Sequence, residues 1–147
     1  RDSVSPFLEF ENKWVFLLGL TSNLGANDFQ YMQDQQGTLY QRVIQTAQRW
    51  APDYPGHLGF VVGATRAERM QEIRRICPDA FLLVPGVGAQ GGNLQDVCKY
   101  GMVKESIGLL INSSRGIIYA SNGDDFAEAS ANKARELQEQ MAAVLGA

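Results

Sequence analysis

The chain has 147 residues, 45% of them hydrophobic and 20% charged, with a net charge of −3. That length is one domain by the usual prior, with room for a real core, and the whole of 1–147 is expected to form it. A mildly acidic chain without a basic cluster excludes nucleic acid as a partner, and no apolar run reaches membrane-spanning length. The start, Arg1-Asp2-Ser3, is not a signal peptide and lacks an initiator Met, so it reads as an internal starting point. Cys77 and Cys98 match no metal spacing and read as buried free thiols in a reducing compartment.

Val4 to Phe10 is weakly helical. Trp14-Val15-Phe16-Leu17-Leu18-Gly19-Leu20 is a continuous apolar run of strand length, ended by Thr21-Ser22-Asn23-Leu24-Gly25. Continuous apolarity predicts a strand covered on both faces, as in a parallel sheet. Asn27 is expected to cap a short helix through Met32. A second helix after Gly37 carries Leu39, Val43, Ala47 and Trp50 at spacings of three and four.

Pro52 and Pro55-Gly56 break the chain before the second run, Leu58 to Val62. Thr65-Arg66-Ala67-Glu68 then has the form of a capping box, and Ala67, Met70, Ile73 and Ile76 form an inner stripe up to Pro78. The third run, Phe81-Leu82-Leu83-Val84, enters the glycine-dense turn Pro85 to Gly92. A helix follows with Leu94, Val97 and Cys98 inward and Gly101 as its stop. The fourth run, Leu109-Leu110-Ile111, ends in Asn112-Ser113-Ser114-Arg115, and Ile117 to Tyr119 read as a short turn or helix. Asp124 or Asp125 starts the last helix, with Phe126, Ala129, Leu137, Met141 and Leu145 near one face.

Four strand–helix units with nearly all-apolar strands mean an α/β fold with a parallel sheet. Two architectures fit: an open doubly wound sheet, or part of an eight-fold barrel. A complete barrel takes about 250 residues, so this chain would supply about half of one. Both place ligands at the carboxyl ends of the strands. Those ends offer Thr21, Ser22 and Asn23; Gly63, Ala64 and Thr65; Pro85 to Gly92; and Asn112 to Arg115. No Asp, Glu, His, Lys or Cys stands at any of them. General acid–base chemistry needs a titratable group at the reacting atom, so the pattern is a binding surface without a catalytic engine.

Strand, glycine turn and helix start together make an anion site on backbone N–H groups. Gln90 is the only long polar side chain in that turn, and Arg115 follows the neighbouring strand. Phosphate held after the last two strands is a frequent barrel feature. The N–H groups of Gly91, Gly92 and Gly116 would take its oxygens while the Arg115 guanidinium forks onto the dianion. His57 and Lys13 precede their strands, at the opposite end, and read as structural. Thr65 reads as a helix cap, Ser22 lacks a neighbouring base but suits a hydrogen bond to a ligand ring, and Trp14, Trp50 and Tyr40 read as core.

Val84-Pro85-Gly86-Val87-Gly88-Ala89-Gln90-Gly91-Gly92, then Ile111-Asn112-Ser113-Ser114-Arg115 with Ile118-Tyr119-Ala120-Ser121, closely resembles orotidine 5′-phosphate decarboxylase. The likeness is to the longer bacterial branch. It extends to Asp2-Ser3-Val4 with Pro6-Phe7, Leu20-Thr21-Ser22-Asn23 and Val61-Val62-Gly63-Ala64-Thr65, and so runs through essentially the whole chain. The resemblance implies a TIM (β/α)8 barrel lyase of de novo pyrimidine synthesis in the cytoplasm. Such an enzyme turns orotidine 5′-monophosphate into uridine 5′-monophosphate and CO2 without metal or organic cofactor, and is a homodimer when intact. It implies Gln90 and Arg115 on the 5′-phosphate, with Gly91, Gly92 and Gly116 as backbone donors. Pro85 would lie against the pyrimidine and Ser22 on its edge, and Gly86 to about Gly101 would be a closing loop.

The departure is as informative. The family's catalytic group alternates Lys and Asp around an Asp-x-Lys-x-x-Asp motif on an earlier strand, and no such motif exists here. By the family's order the chain begins after the fourth strand. It is then expected to be the C-terminal half-barrel, inactive alone, with no catalytic residue of its own. The N-terminal half or a second copy would cover its open sheet edges. The alternative is an isolated half-barrel that only binds phosphate or self-associates.

Overall fold

The computed structural model describes residues 1–88, 91–103 and 107–146. One helical turn, α1 (Ser5–Leu8), precedes strand β1 (Trp14–Leu20). A second turn, α2 (Ala26–Phe29), leads into a small hairpin of β2 (Gln33–Asp34) and β3 (Gly37–Thr38), then helix α3 (Leu39–Trp50). After β4 (His57–Val62) come a 3-10 segment (Ala64–Arg69) and α4 (Met70–Ile76). Next are β5 (Leu82–Pro85), α5 (Leu94–Gly101), β6 (Leu109–Asn112), α6 (Ser114–Ile118) and α7 (Phe126–Leu145).

The main sheet has the order β1-β4-β5-β6, and every pair is parallel. Spatial order therefore equals chain order, with no reversal. A doubly wound sheet needs a switch point, whereas a barrel adds each strand beside the last and keeps its helices on one side. Of the two architectures open to the sequence, this is the barrel arc.

The two faces of the sheet have different fates. Phe60, Val62, Leu82, Val84 and Leu109 join Ile44, Ala47, Met70, Ile73 and Val97 in one buried core beneath the helices. On the other face Trp14, Leu18 and Leu110 are 46%, 58% and 44% exposed. Phe16 lies across Gly59, where a Cβ would meet its ring at 2.4 Å, and Trp14 stacks on His57 at 4.7 Å and edge-on to Phe81 at 4.9 Å. Burial on both faces, expected from the continuous apolar runs, is thus met on the helix face only, and Trp14 is no core residue.

Several local expectations are corrected. Helix α3 buries Tyr40, Ile44 and Ala47, not Leu39 and Val43, which are left exposed. Tyr40 supplies the bulk, and its hydroxyl donates to Glu72 Oε2 at 2.8 Å, which satisfies its polar tip. Asn27 lies inside α2 after an N-cap at Gly25. Thr65 caps nothing: Gly63 is the N-cap of a 3-10 segment, and Thr65 Oγ1 is shielded without a partner among the described residues. Gly101 is the last residue of α5 and is needed for space, since a Cβ would sit 2.9 Å from Met70 Sδ. No residue of α7 is fully buried; Leu137 and Met141 pack half-covered, while Phe126 and Leu145 are exposed. No helix among the described residues is long and apolar enough to cross a membrane.

Candidate functional site

Parallel pairing puts the carboxyl ends of all four strands on one edge of the sheet. After β1, Thr21 is gripped by Gln30, and Ser22 comes next with its Oγ shielded and unpartnered among the described residues. After β4, Gly63 presses against Ser22, for a Cβ there would lie 2.1 Å from Ser22 Oγ. Tight contact between these two ends comes from a missing side chain.

After β5 the chain turns sharply. Gly86, Gly88 and Gly91 have φ of 94°, 76° and 83°, values that side chains resist. The turn is closed by its own main chain: Gly92 N–H donates to Gly86 O at 3.1 Å, Gly88 N–H to Gly92 O at 3.0 Å and Gly91 N–H to Gly88 O at 2.8 Å. The N–H groups of Gly91 and Gly92 are therefore engaged inside the turn in this conformation. An anion would have to draw them away from those carbonyls. Gln90 lies outside the described residues.

After β6, Ser113 Oγ donates to Val87 O at 3.1 Å and so ties this end to the glycine turn. Ser114 Oγ donates to Asn112 Oδ1 at 3.0 Å. Arg115 and Gly116 are the second and third residues of α6, where helical N–H groups have no partner within the helix. A cavity of about 220 Å³ is lined by Pro85, Gly86, Val87, Asn112, Ser113, Ser114 and Arg115. Gly116 borders an adjoining cavity of about 260 Å³ with Val87, Gly88 and Lys133.

Pro85 and Arg115 thus share one cavity. Ser22 lies three strands away, roughly 14 Å along the sheet at the usual strand spacing. An elongated ligand with an anionic end at β6 and a ring reaching toward β1 fits that separation. Complete small-molecule pockets run from about 300 to 1,000 Å³, and the β5–β6 cavity is smaller than that. Of the expected closing loop, Leu94–Gly101 is helix α5 with Leu94, Val97 and Cys98 buried, and residues 89 and 90 lie outside the described residues.

Three side chains at this edge carried no sequence signal for their role. Gln30 bonds the backbone and hydroxyl of Thr21 nine residues earlier, Ser113 bonds the carbonyl of Val87 on the preceding unit, and Lys133 arrives on α7. Both thiols are buried and free. Burial pushes Cys77 up to about 11 and raises Cys98 as well, so neither is a poised nucleophile. The described residues contain no group of three His, Cys, Asp or Glu placed to hold a metal.

A model of the family described as "Orotidine 5'-phosphate decarboxylase / HUMPS family" matches residues 2–130. Curated relatives named orotidine 5′-phosphate decarboxylase include one from Christiangramia forsetii, 57% identical over 145 residues, which span 99% of this chain and 52% of the relative. One from Bacteroides fragilis is 52% identical over 148 residues, covering 100% of this chain and 53% of its own. The chain spans about half the length of the curated relatives it matches. Among solved structures, the OMP decarboxylase of Leishmania donovani superposes with a TM-score of 0.79 at 32% identity, covering 99% of this chain and 53% of that one. The UMP synthase of the same organism gives 0.80 at 36% identity, covering 97% and 30%.

Proposed function

The chain belongs to the orotidine 5′-phosphate decarboxylase / HUMPS family, and from that premise we propose that it forms the phosphate- and pyrimidine-binding half of a cofactor-free decarboxylase. The reaction is orotidine 5′-monophosphate to uridine 5′-monophosphate and CO2. The observation that carries the proposal is the cavity in which Pro85 and the glycine turn face Asn112 to Arg115 across neighbouring strand ends. Arg115 holds the 5′-phosphate with Gln90 and the N–H groups of Gly91, Gly92 and Gly116. Pro85 packs on the pyrimidine and Ser22 bonds its edge.

Breaking the ring-carbon–carboxylate bond leaves an electron pair on that carbon, and a proton must then be delivered to it. No Asp, Glu, His, Lys or Cys directly follows any of the four strands. Lys133, brought by α7, borders the cavity at Gly116 on the phosphate side, so the proton donor is assigned to the other half of a complete barrel. The phosphate grip here contributes by holding the reacting ring in place and excluding water as the glycine turn closes.

Two features support a second half as partner. The apolar face bearing Trp14, Leu18 and Leu110 would line a closed barrel, and a groove of about 290 Å³ runs along the free edge of β6 beside Leu109, Ile111, Met141 and Val144. The complete enzyme is a homodimer acting on a charged nucleotide in the cytoplasm. A second reading, a self-associating phosphate-binding module, draws on the same open edges.

Turnover decides between them. The 147-residue chain should be inactive alone and gain decarboxylase activity when mixed with the N-terminal half of a relative. Appreciable turnover by the isolated chain would sink the proposal. A stable, inactive dimer that ignores the added half would favour the self-associating module.

A further inference from the structure

The end of β1 is held by an arrangement that phosphate binding does not require. Thr21 N–H donates to Gln30 Oε1 at 2.9 Å, and Gln30 Nε2 donates to Thr21 Oγ1 at 3.0 Å. Both ends of one side-chain amide are spent on one residue, nine positions away and half-buried. Thr21 immediately precedes Ser22. On its other side Ser22 is pressed by Gly63, where a Cβ would sit 2.1 Å from Ser22 Oγ and 2.7 Å from Ser22 N. Gly63 itself is tied to β1 by a 2.8 Å bond from its N–H to Leu20 O.

Ser22 is therefore fixed from both sides while its hydroxyl has no partner among the described residues. A shielded hydroxyl without a partner costs stability, and holding it still lowers the entropy lost when a ligand takes it. We propose that Gln30 is the positioning residue of the base-recognition end. By clamping Thr21 it aims the Ser22 hydroxyl at the pyrimidine edge of a nucleoside monophosphate, and so sets the affinity that the base adds to the phosphate. This rests on the reading of Ser22 and Arg115 given above.

The test compares uridine 5′-monophosphate with ribose 5-phosphate, titrated by NMR into the 147-residue chain and its variants. Wild type should prefer the nucleotide by roughly fivefold or more, the worth of about one hydrogen bond. Gln30→Ala should bring that ratio close to one and leave ribose 5-phosphate affinity unchanged. Gln30→Glu should keep the preference, because a carboxylate accepts both from Thr21 N–H and from the Thr21 hydroxyl turned to donate. If Gln30→Ala does not fold, Thr21→Val serves instead: it keeps the backbone bond, loses the other, and should lower the ratio part-way.

An unchanged ratio in Gln30→Ala, or in Thr21→Val where that variant stands in for it, overturns the role of Gln30 and leaves the site reading standing. Equal weakening of both ligands also overturns it, since that is what a merely structural contact would do. A wild type that binds neither ligand, or both alike, overturns the site reading and this inference together.

Discussion

Gly92 rests on Ala64 so closely that a Cβ on the glycine would lie 2.3 Å from the Ala64 Cβ and 2.7 Å from Gly86 O. The glycine turn after β5 is thereby seated on the end of β4, one strand back. Gly92→Ala should move the turn and cost roughly 1–3 kcal/mol of stability, the range for overpacking. Phosphate binding should weaken with it. A Cβ at Gly91 meets nothing within 4 Å among the described residues, so Gly91→Ala has chiefly an unfavourable φ of 83° to bear. Chemical denaturation of the two variants, with Gly92→Ala losing more, checks the seating.

Arg115 shares its cavity with Pro85 and the start of the glycine turn. In the assembled enzyme Arg115→Ala should weaken nucleotide binding by roughly 2–5 kcal/mol, the scale for removing one partner of a desolvated charge pair. Uridine, which lacks the phosphate, should bind the variant as it binds wild type. Calorimetry with both ligands separates a phosphate contact from a general loss of the site.

Arg74 serves the opposite end of the sheet. Its guanidinium donates to Gly101 O at 2.6 Å, Ala80 O at 2.5 Å and Gly108 O at 2.8 Å, joining the end of α5 to the segments that enter β5 and β6. Removing it takes the side-chain donor from the Gly101 and Ala80 carbonyls, while Gly108 O keeps the Leu82 N–H at 2.9 Å. Arg74→Ala should cost on the order of 3 kcal/mol, and Arg74→Lys should recover little, because one ammonium cannot span the fork. Urea denaturation midpoints report the order of the three proteins.

Alkaline pH should destabilise the fold. Burial lifts the Cys77 thiol from 9.0 to about 11, so the unfolded chain ionises first and binds fewer protons than the folded one. Stability is then full below pH 9 and falls between about 9 and 11, by on the order of 2 kcal/mol from this group. Tyr40, pushed up to about 12 by burial and then by its bond to Glu72, extends the decline. Cys77→Ala should flatten the slope of stability between pH 9 and 11, measured by thermal melts across that range.

Leu18, 58% exposed on the open sheet face, separates the stability of this chain from its assembly. Leu18→Gln should change the stability of the chain alone by no more than about 0.5 kcal/mol. Activity recovered on mixing with an N-terminal half should drop, because the same position would enter a closed interior. Equal activity of variant and wild type would show that this face stays open in the working enzyme.

By itself the sequence determined the strand–helix alternation, the four strand ends, and the absence of acid or base at them. These are local properties: apolar runs bounded by glycine, proline and polar turns set element type without reference to partners. It also carried the motifs around Pro85 to Gly92 and Asn112 to Arg115 on which the family resemblance rested, and a model of that family matches residues 2–130. Strand order was not legible, since a continuous apolar run looks the same in a doubly wound sheet and in a barrel. Nor was the rotation of α3, where Tyr40 buries its ring because Glu72 satisfies its hydroxyl. Only the tertiary structure brought Gln30 to Thr21, Ser113 to Val87 and Gly92 to Ala64. The first is made within the connection that follows β1, where α2 turns the chain back. The other two join segments far apart in the chain, and it is the parallel packing of β4, β5 and β6 that sets those distances.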